Sequence, residues 1–135
     1  MAMKQVAKLV IIDNDNKYLM MYRSAHPVFG DDPDLPGGTI EQGESPIMAL
    51  IREVREEAGV EVAETGIAQV YEGTDYSDHD TDFFLYVITL DSRPTVTISW
   101  EHKSYEWLER DIFLDKARSA KDNYMHMVQD VLHDK

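Results

Sequence analysis

Three glutamates at helical spacing are the residues of this sequence whose types and positions best suit chemistry. Glu53, Glu56 and Glu57 lie three and four positions apart, so a helix would place them on one face. Neighbouring carboxylates repel one another, and each raises the pKa of the next. A divalent cation would relieve that repulsion, because hard cations such as Mg²⁺ take oxygen ligands and commonly lie between carboxylates and phosphates. The alternative is an ordinary solvated helix face, where exposed glutamate is common.

The element that must position these carboxylates is a helix that begins after Ser45 and ends at Gly59. Ser45 is a good N-cap, and Pro46 fits the first helical position, where its missing N–H costs nothing. Gly59 suits the left-handed residue just past a helix end. The glutamates are predicted to face well away from an apolar stripe at three- and four-residue spacing. That stripe consists of Ile47, Leu50, Ile51, Val54 and Ala58.

Arg52 and a glycine-rich loop frame the acidic face. Arg52 lies four residues before Glu56 and beside Glu53, so we expect it to orient carboxylates and not to touch a substrate. The loop that precedes the helix contains Gly37 and Gly38. Because glycine has no Cβ, this loop lets the backbone approach a metal and phosphate site closely. Its carbonyl oxygens are reasonable ligands for a hard cation.

Residues 38–60 fit one longer pattern, G-x5-E-x7-R-E-U-x-E-E-x-G-U with U aliphatic, at every fixed position. This pattern is the Nudix box, so the chain resembles the MutT-like Nudix hydrolases, and weaker similarity in the flanking strand pattern extends over most of the sequence. The resemblance implies an α/β fold, the Nudix-type α/β/α sandwich with a mixed β-sheet. Strands placed before, between and after two helices agree with that architecture. Residues 1–135 are therefore expected to form a single Nudix hydrolase domain.

The resemblance also implies a reaction. Family members hydrolyse a nucleoside diphosphate linked to another moiety, by attack of water on a phosphorus of the diphosphate. That chemistry needs cations to neutralise spreading negative charge and a carboxylate to take a proton from water. By resemblance, Glu56 and Glu57 are primary ligands of Mg²⁺, with Mn²⁺ as the alternative ion, and Glu53 is a ligand or the general base. Together with Arg52, these are the predicted catalytic residues.

Glu101 and Arg23 are assigned to the same site from outside the helix. Glu101 and His102 precede an aromatic strand, as in many Nudix proteins, where the glutamate reaches the metal site from across the fold. The alternative for Glu101 is a charged residue at a strand end. A carbonyl of Gly37 or Gly38 would complete the ligand set. Arg23 ends a predicted strand just ahead of the glycine-rich loop, and its guanidinium could contact a substrate phosphate or form a surface ion pair.

The sequence defines the substrate less sharply than the reaction. The family's aromatic residue two places before the loop leucine is replaced by Pro33, and Tyr76 stands where ADP-ribose-cleaving relatives carry a proline. A tyrosine near that place is similar to dinucleoside-polyphosphate hydrolases. The default expectation is a nucleoside triphosphate or a small nucleoside diphosphate derivative. The alternatives are a dinucleoside polyphosphate and a non-catalytic module that senses a nucleotide.

The composition limits the partners of the protein. With 13 basic and 26 acidic residues, the net charge of −13 opposes binding to nucleic acids or anionic membranes. No apolar run is long enough to span a membrane, and the first residues lack the apolar core of a signal peptide. The absence of cysteine excludes a disulfide framework and a thiol nucleophile. These features predict a cytoplasmic protein with a small nucleotide as its partner. The sequence leaves the oligomeric state open, and a homodimer is one alternative because members of the family it resembles are often dimers.

The remaining chain is predicted to supply the sheet and a covering helix. Strands are expected over residues 5–13 and 18–23, joined by a turn, and over residues 60–62, 67–74, 83–90 and 95–100. A second helix is expected over about residues 119–133, and Trp107 is expected in the core. His79, in an acidic loop, could be a ligand or an acid–base group, whereas a solvated loop histidine is the simpler interpretation.

Overall fold

A mixed β-sheet is the frame of the molecule in the computed structural model, which describes residues 3–76 and 80–134. Its strands are β1 (Lys4–Ile12), β2 (Tyr18–Arg23), β3 (Pro33–Asp34), β4 (Gly37–Thr39), β5 (Ala68–Gly73), β6 (Thr81–Thr89) and β7 (His102–Leu108). Within the described residues they form one sheet in the order β3-β2-β1-β6-β5, with β4 paired to β1 and β7 paired to β2. β1 and β6 are parallel, and the other paired strands are antiparallel.

Helices cover both faces of this sheet. They are α1 (Pro46–Ala58), α2 (Arg110–Arg118) and α3 (Asn123–His133), with a short 3₁₀ helix at Glu64–Gly66. Successive side chains of a strand point to opposite faces. On β1, Leu9 and Ile11 therefore pack in the core beneath α1, whereas Val10 and Ile12 pack in a second core beneath α2 and α3. The predicted α/β/α sandwich with a mixed sheet is confirmed.

Helix α1 has the ends that its sequence predicts. The Ser45 hydroxyl accepts a hydrogen bond of 3.2 Å from the Met48 N–H, and Pro46 occupies the first turn. Gly59 has a φ of 67° and donates its N–H to the Arg55 carbonyl at 3.0 Å. These local signals fix where the helix begins and ends, and so fix the rotation of its acidic face.

The strand predicted over residues 95–100 is wrong. The Thr97 N–H donates to the Ala58 carbonyl at 2.8 Å, and the Ser99 N–H donates to the Glu57 carbonyl at 3.2 Å. Because these backbone donors bond to the last turn of α1, the segment lies against the end of the helix and outside the sheet. The strand predicted over residues 60–62 is also absent, and Val60 and Val62 are buried in the core beneath α1.

The described residues form three α-helices, one more than the two that were predicted. Helix α2 was not predicted, and α3 begins at Asn123, later than the predicted start at residue 119. Asp122 caps α3, because its carboxylate accepts a hydrogen bond of 3.2 Å from the Tyr124 N–H. His79 lies outside the described residues. None of the helices in the described ranges is long and apolar enough to cross a membrane.

Candidate active site

A cavity of about 650 Å³ opens beside α1, and its walls come from several elements. Glu53 and Glu57 reach it from α1, and Glu101 reaches it from the turn before β7. Lys8 of β1 and Arg23 of β2 lie in the same lining. The fold therefore brings these carboxylates and cations from distant parts of the sequence to one concave surface, where Lys4, Asp34 and Asp122 also lie.

Glu57 is the buried acid of this cavity, with an exposed fraction of only 5%. Burial raises the pKa of its carboxyl to about 9, although the charge of Lys8 acts in the opposite direction. A hydrogen bond with Glu53 and the charges of Asp34 and Glu101 raise the pKa further. Glu57 therefore holds a proton at neutral pH unless a cation takes the place of that proton. The prediction that all three glutamates turn away from the core is wrong for Glu57.

The absence of a side chain at Gly38 leaves space for the carboxylate of Glu53. A Cβ on Gly38 would lie 2.7 Å from both Cδ and Oε2 of the Glu53 carboxylate, which is too close for any side chain. Gly37 has a different role, since a Cβ added at this position would lie 2.1 Å from the Ala7 carbonyl oxygen of β1. The sequence predicts that the glycine-rich loop approaches the site closely. Gly38 makes such an approach to the acidic site, whereas Gly37 makes its close approach to the sheet.

Arg52 contacts carboxylates on three sides. Its Nε and Nη2 lie 2.8 and 2.9 Å from the two carboxylate oxygens of Glu44, and Nη1 lies 2.9 Å from Glu53. The hydrogen bond from Arg52 is the main reason why the pKa of Glu44 is lowered to about 2. Glu44 is therefore the partner of the arginine, and Arg52 in turn holds the carboxylate of Glu53 at the cavity wall.

Glu56 does not reach the cavity. Its side chain is 55% exposed, and its Oε2 lies 3.4 Å from Arg52 Nη1 on the outer side of α1. Among the described residues, no three histidine, aspartate or glutamate side chains converge closely enough to form a ready-made metal site. The predicted acidic face is thus divided, with Glu53 and Glu57 at the cavity and Glu56 outside it.

Asp34 is a buried residue in the lining of the cavity and was not singled out from the sequence. Its Oδ1 is 3.1 Å from Lys8 Nζ and contacts the Tyr124 hydroxyl, and its Oδ2 is 2.8 Å from His102 Nε2. Burial alone would raise the pKa of Asp34, but Lys8, His102 and Arg23 together hold that pKa far below its usual value. The members of this cluster are distant in sequence, so no local pattern signals it.

Arg23 forms ion pairs at the edge of the cavity. Its Nη2 lies 2.9 Å from Asp122 and 3.5 Å from Asp34, and its guanidinium carbon lies 5.1 Å from the centre of the Phe29 ring. The side chain is 11% exposed, and its Nε has no hydrogen-bond partner within the part of the chain that the structure describes. Arg23 forms the ion pair that was one of its two predicted roles, and its guanidinium also lines the cavity, where a substrate phosphate could reach it. The phosphate contact stays a prediction.

Comparison with known proteins assigns the family. The model of the NUDIX domain matches residues 3–128. The chain belongs to the NUDIX family. This NUDIX chain is 36% identical over 56 residues to the 8-oxo-dGTP diphosphatase of Escherichia coli K12, a match that covers 42% of the chain and 43% of that protein. It is 38% identical over 65 residues to the ADP-ribose pyrophosphatase of Methanocaldococcus jannaschii, covering 48% of the chain and 38% of that protein.

The solved structures show the same fold. The NUDIX chain superposes on an Ap4A hydrolase from C. elegans with a TM-score of 0.71 and 22% identity, covering 96% of this chain and 93% of that one. In contrast, the sequence matches span less than half the length of the two relatives named above. The comparisons therefore assign family and fold.

Proposed function

We propose that this NUDIX protein hydrolyses a diphosphate linkage in a nucleoside triphosphate or a nucleoside diphosphate derivative, with the aid of a divalent cation. The observation that carries the proposal is the contact between Glu53 and the buried Glu57 in the cavity wall. Two carboxylates in contact keep a proton between them or share a cation. A cavity that also presents Lys8 and Arg23 suits a ligand that carries phosphates.

The donor set at the cavity fits Mg²⁺ or Mn²⁺. It consists of carboxylate oxygens, the ligands that these ions prefer, beside a glycine that leaves space where a side chain would intrude. Glu53 and Glu57 would hold the ion, and Glu101 and the Gly38 carbonyl would complete the ligand set once the side chains draw together around it. When bound, the cation neutralises charge on the phosphates and lowers the pKa of a bound water. Glu56 stays a predicted ligand, and its contact with Arg52 would have to break for it to reach the cavity.

The residues of the chain divide the remaining work of the reaction. Arg52 fixes the Glu53 carboxylate, because it is itself held by both oxygens of Glu44. Glu53 is either a ligand or the base that takes a proton from the attacking water. Lys8 Nζ is fixed by Asp34 and by the Leu35 carbonyl, each at 3.1 Å, and so presents its charge at the cavity in one place. Arg23 is proposed to contact a substrate phosphate.

A Mg²⁺-dependent hydrolysis screen tests this function, with substrates and products separated by anion-exchange chromatography so that nucleotides, sugar phosphates and pyrophosphate are all detected. The panel contains the four deoxynucleoside triphosphates together with 8-oxo-dGTP, ADP-ribose and Ap4A, the compounds in the names of the similar proteins. Turnover of at least one compound that stops on chelation of the metal is the expected result. Ap4A as the best substrate would favour the dinucleoside polyphosphate alternative. Tight binding of one nucleotide without turnover of any would contradict the proposal and favour a sensor.

A homodimer, a cytoplasmic location and a single domain over residues 1–135 stay predictions from the sequence. They do not enter the argument for hydrolysis, which depends on residues of one chain around one cavity. Size-exclusion chromatography with light scattering would measure the assembly directly. A monomeric mass would contradict the homodimer without affecting the proposed reaction.

A further inference from the structure

Trp100 is an exposed indole in the lining of the cavity. Its exposed fraction is 86%, the largest among the big apolar side chains that are exposed in the described residues. Other exposed side chains of this kind, such as Val28, Met48 and Ile112, lie outside the cavity lining, whereas Trp100 lies within it. A tryptophan offers a large apolar surface. An unburied indole at a binding cavity leaves that surface free for a ligand.

The backbone around Trp100 is fixed on both sides. The Ser99 N–H donates to the Glu57 carbonyl at 3.2 Å, and the Glu101 carbonyl accepts from the Ser24 N–H at 3.0 Å. The neighbours of Trp100 in sequence are thus bonded to the end of α1 and to the loop after β2. The indole is therefore carried next to the acidic pair by an anchored segment, although the ring itself is free.

The loop bonded to this segment adds further flat surfaces to the same cavity. The rings of His26 and Phe29 lie 5.1 Å apart, and the guanidinium of Arg23 lies over the Phe29 ring at 5.1 Å. All three residues line the cavity together with Trp100. Nucleobases stack on aromatic rings and on guanidinium planes. The lining thus combines charged groups with flat ring surfaces, which match the two parts of a nucleotide, its phosphates and its base.

We propose that Trp100 stacks against the nucleobase of the substrate at the mouth of the cavity, while the phosphates lie toward Glu53 and Glu57. The inference rests on the proposed function, since it names the part of the cavity that takes the base. Because every base has a π-face, stacking on Trp100 contributes to the binding of different nucleotides alike. Trp100 is therefore a binding residue that adds affinity without selecting one base by hydrogen bonds.

Fluorescence provides a test that does not depend on turnover. The chain has two tryptophans, and Trp107 is half-buried, lies outside the cavity lining and has the Arg93 guanidinium 5.2 Å from its ring. Trp107→Phe leaves Trp100 as the sole indole. We expect its emission to change saturably on titration with the α,β-methylene analogue of dGTP and not with inorganic tripolyphosphate, which lacks a base. The matched control, Trp100→Phe, should show no change for either probe.

Kinetics provides a second test on any nucleotide that the wild-type protein hydrolyses. Trp100→Ala should raise KM by roughly fivefold to a hundredfold, the range that base stacking covers. The kcat should stay close to the wild-type value, because stacking is made equally in the ground and transition states. Trp100→Phe should restore most of the affinity, since phenylalanine also presents a ring.

Each outcome decides the inference. A saturating nucleotide analogue that leaves Trp100 emission unchanged would overturn it, as would an unchanged KM in Trp100→Ala. If the wild-type protein turns over nucleotides in either case, the stacking fails and the proposed function stands. If no nucleotide is turned over, the proposed function fails, and the emission change with the analogue alone still supports or overturns the stacking.

Discussion

Asp34 Oδ2 lies 2.8 Å from His102 Nε2, so a buried carboxylate on β3 is joined to the strand that directly follows Glu101. The other oxygen of Asp34 contacts Lys8 on β1 and Tyr124 on α3. One side chain in the cavity lining thus connects β3 with β1, β7 and α3. It fixes the position of the Glu101 turn relative to Lys8, and so links the stability of the fold to the shape of the proposed site.

Acid stability should depend on Asp34. Burial opposes the charge of this carboxylate, but Lys8, the bond from His102 and Arg23 outweigh burial and lower its pKa. The pKa of Asp34 in the folded protein is lower than its value of about 3.9 in the unfolded chain. Its carboxylate therefore stabilises the fold fully at a pH above that unfolded pKa, and this stabilisation is lost as the pH falls toward the folded pKa. The free energy of unfolding, measured by urea titration, should therefore decrease progressively below about pH 5.

Asp34→Asn provides the comparison for that pH profile. The variant should lose about 3–5 kcal/mol at pH 7, because Lys8 keeps a buried charge without its carboxylate partner, whereas Arg23 keeps its ion pair with Asp122. Its stability should also depend less on pH in the acid range. The matched control is Asp31→Asn, which removes an exposed ion pair with Lys103 of 2.7 Å and should change little. Equal pH slopes in the wild type and Asp34→Asn would contradict this account.

The two loop glycines should respond differently to alanine. A Cβ at Gly38 meets the Glu53 carboxylate, whereas a Cβ at Gly37 meets the backbone of β1. Gly38→Ala should therefore lower turnover by roughly a hundredfold through displacement of Glu53, with a largely unchanged melting temperature. Gly37→Ala should lower the stability itself by about 1–3 kcal/mol or more. Steady-state kinetics and thermal melts measure both, and normal turnover in Gly38→Ala would be the contrary result.

Arg52 should not be replaceable by lysine. Its fork of donors contacts both oxygens of Glu44 and also reaches Glu53, a geometry that an ammonium group does not reproduce. Arg52→Lys should reduce turnover by roughly tenfold to a hundredfold, as loss of a group that orients a ligand does. Arg55→Lys, at an exposed position on the same helix, is the control and should behave as the wild type. Equal turnover rates for both variants would contradict the proposal that Arg52 positions Glu53.

Local signals in the sequence were sufficient to predict α1. Ser45, Pro46 and Gly59 mark its ends by backbone preferences that act over a few residues, and the structure has them in those roles. The same spacing predicted a common face for Glu53, Glu56 and Glu57. The chain around the helix decides the rest, because Arg52 holds Glu56 outside while Glu57 is buried beneath.

Contacts between distant residues set the limit of prediction. Residues 95–100 alternate in polarity as a strand does, but the backbone N–H groups of Thr97 and Ser99 bond to carbonyls of α1. No pattern within the segment predicts these bonds. The cluster around Asp34 joins residues from β1, β2, β3, β7 and α3, so each member looks like an ordinary charged or polar residue in sequence. Trp100 was likewise not identified, since its position in the cavity lining depends on the fold.

The measurement that tests the account most directly is Mg²⁺-dependent nucleotide hydrolysis by Glu57→Gln. Glutamine has the shape of the protonated glutamate, so the fold should stay intact by circular dichroism. It lacks the ionised carboxylate that would hold a cation, so metal-dependent turnover should be abolished. Glu64→Gln, at an exposed position outside the cavity lining, should keep the wild-type rate. Near-normal turnover by a folded Glu57→Gln protein would contradict the central claim.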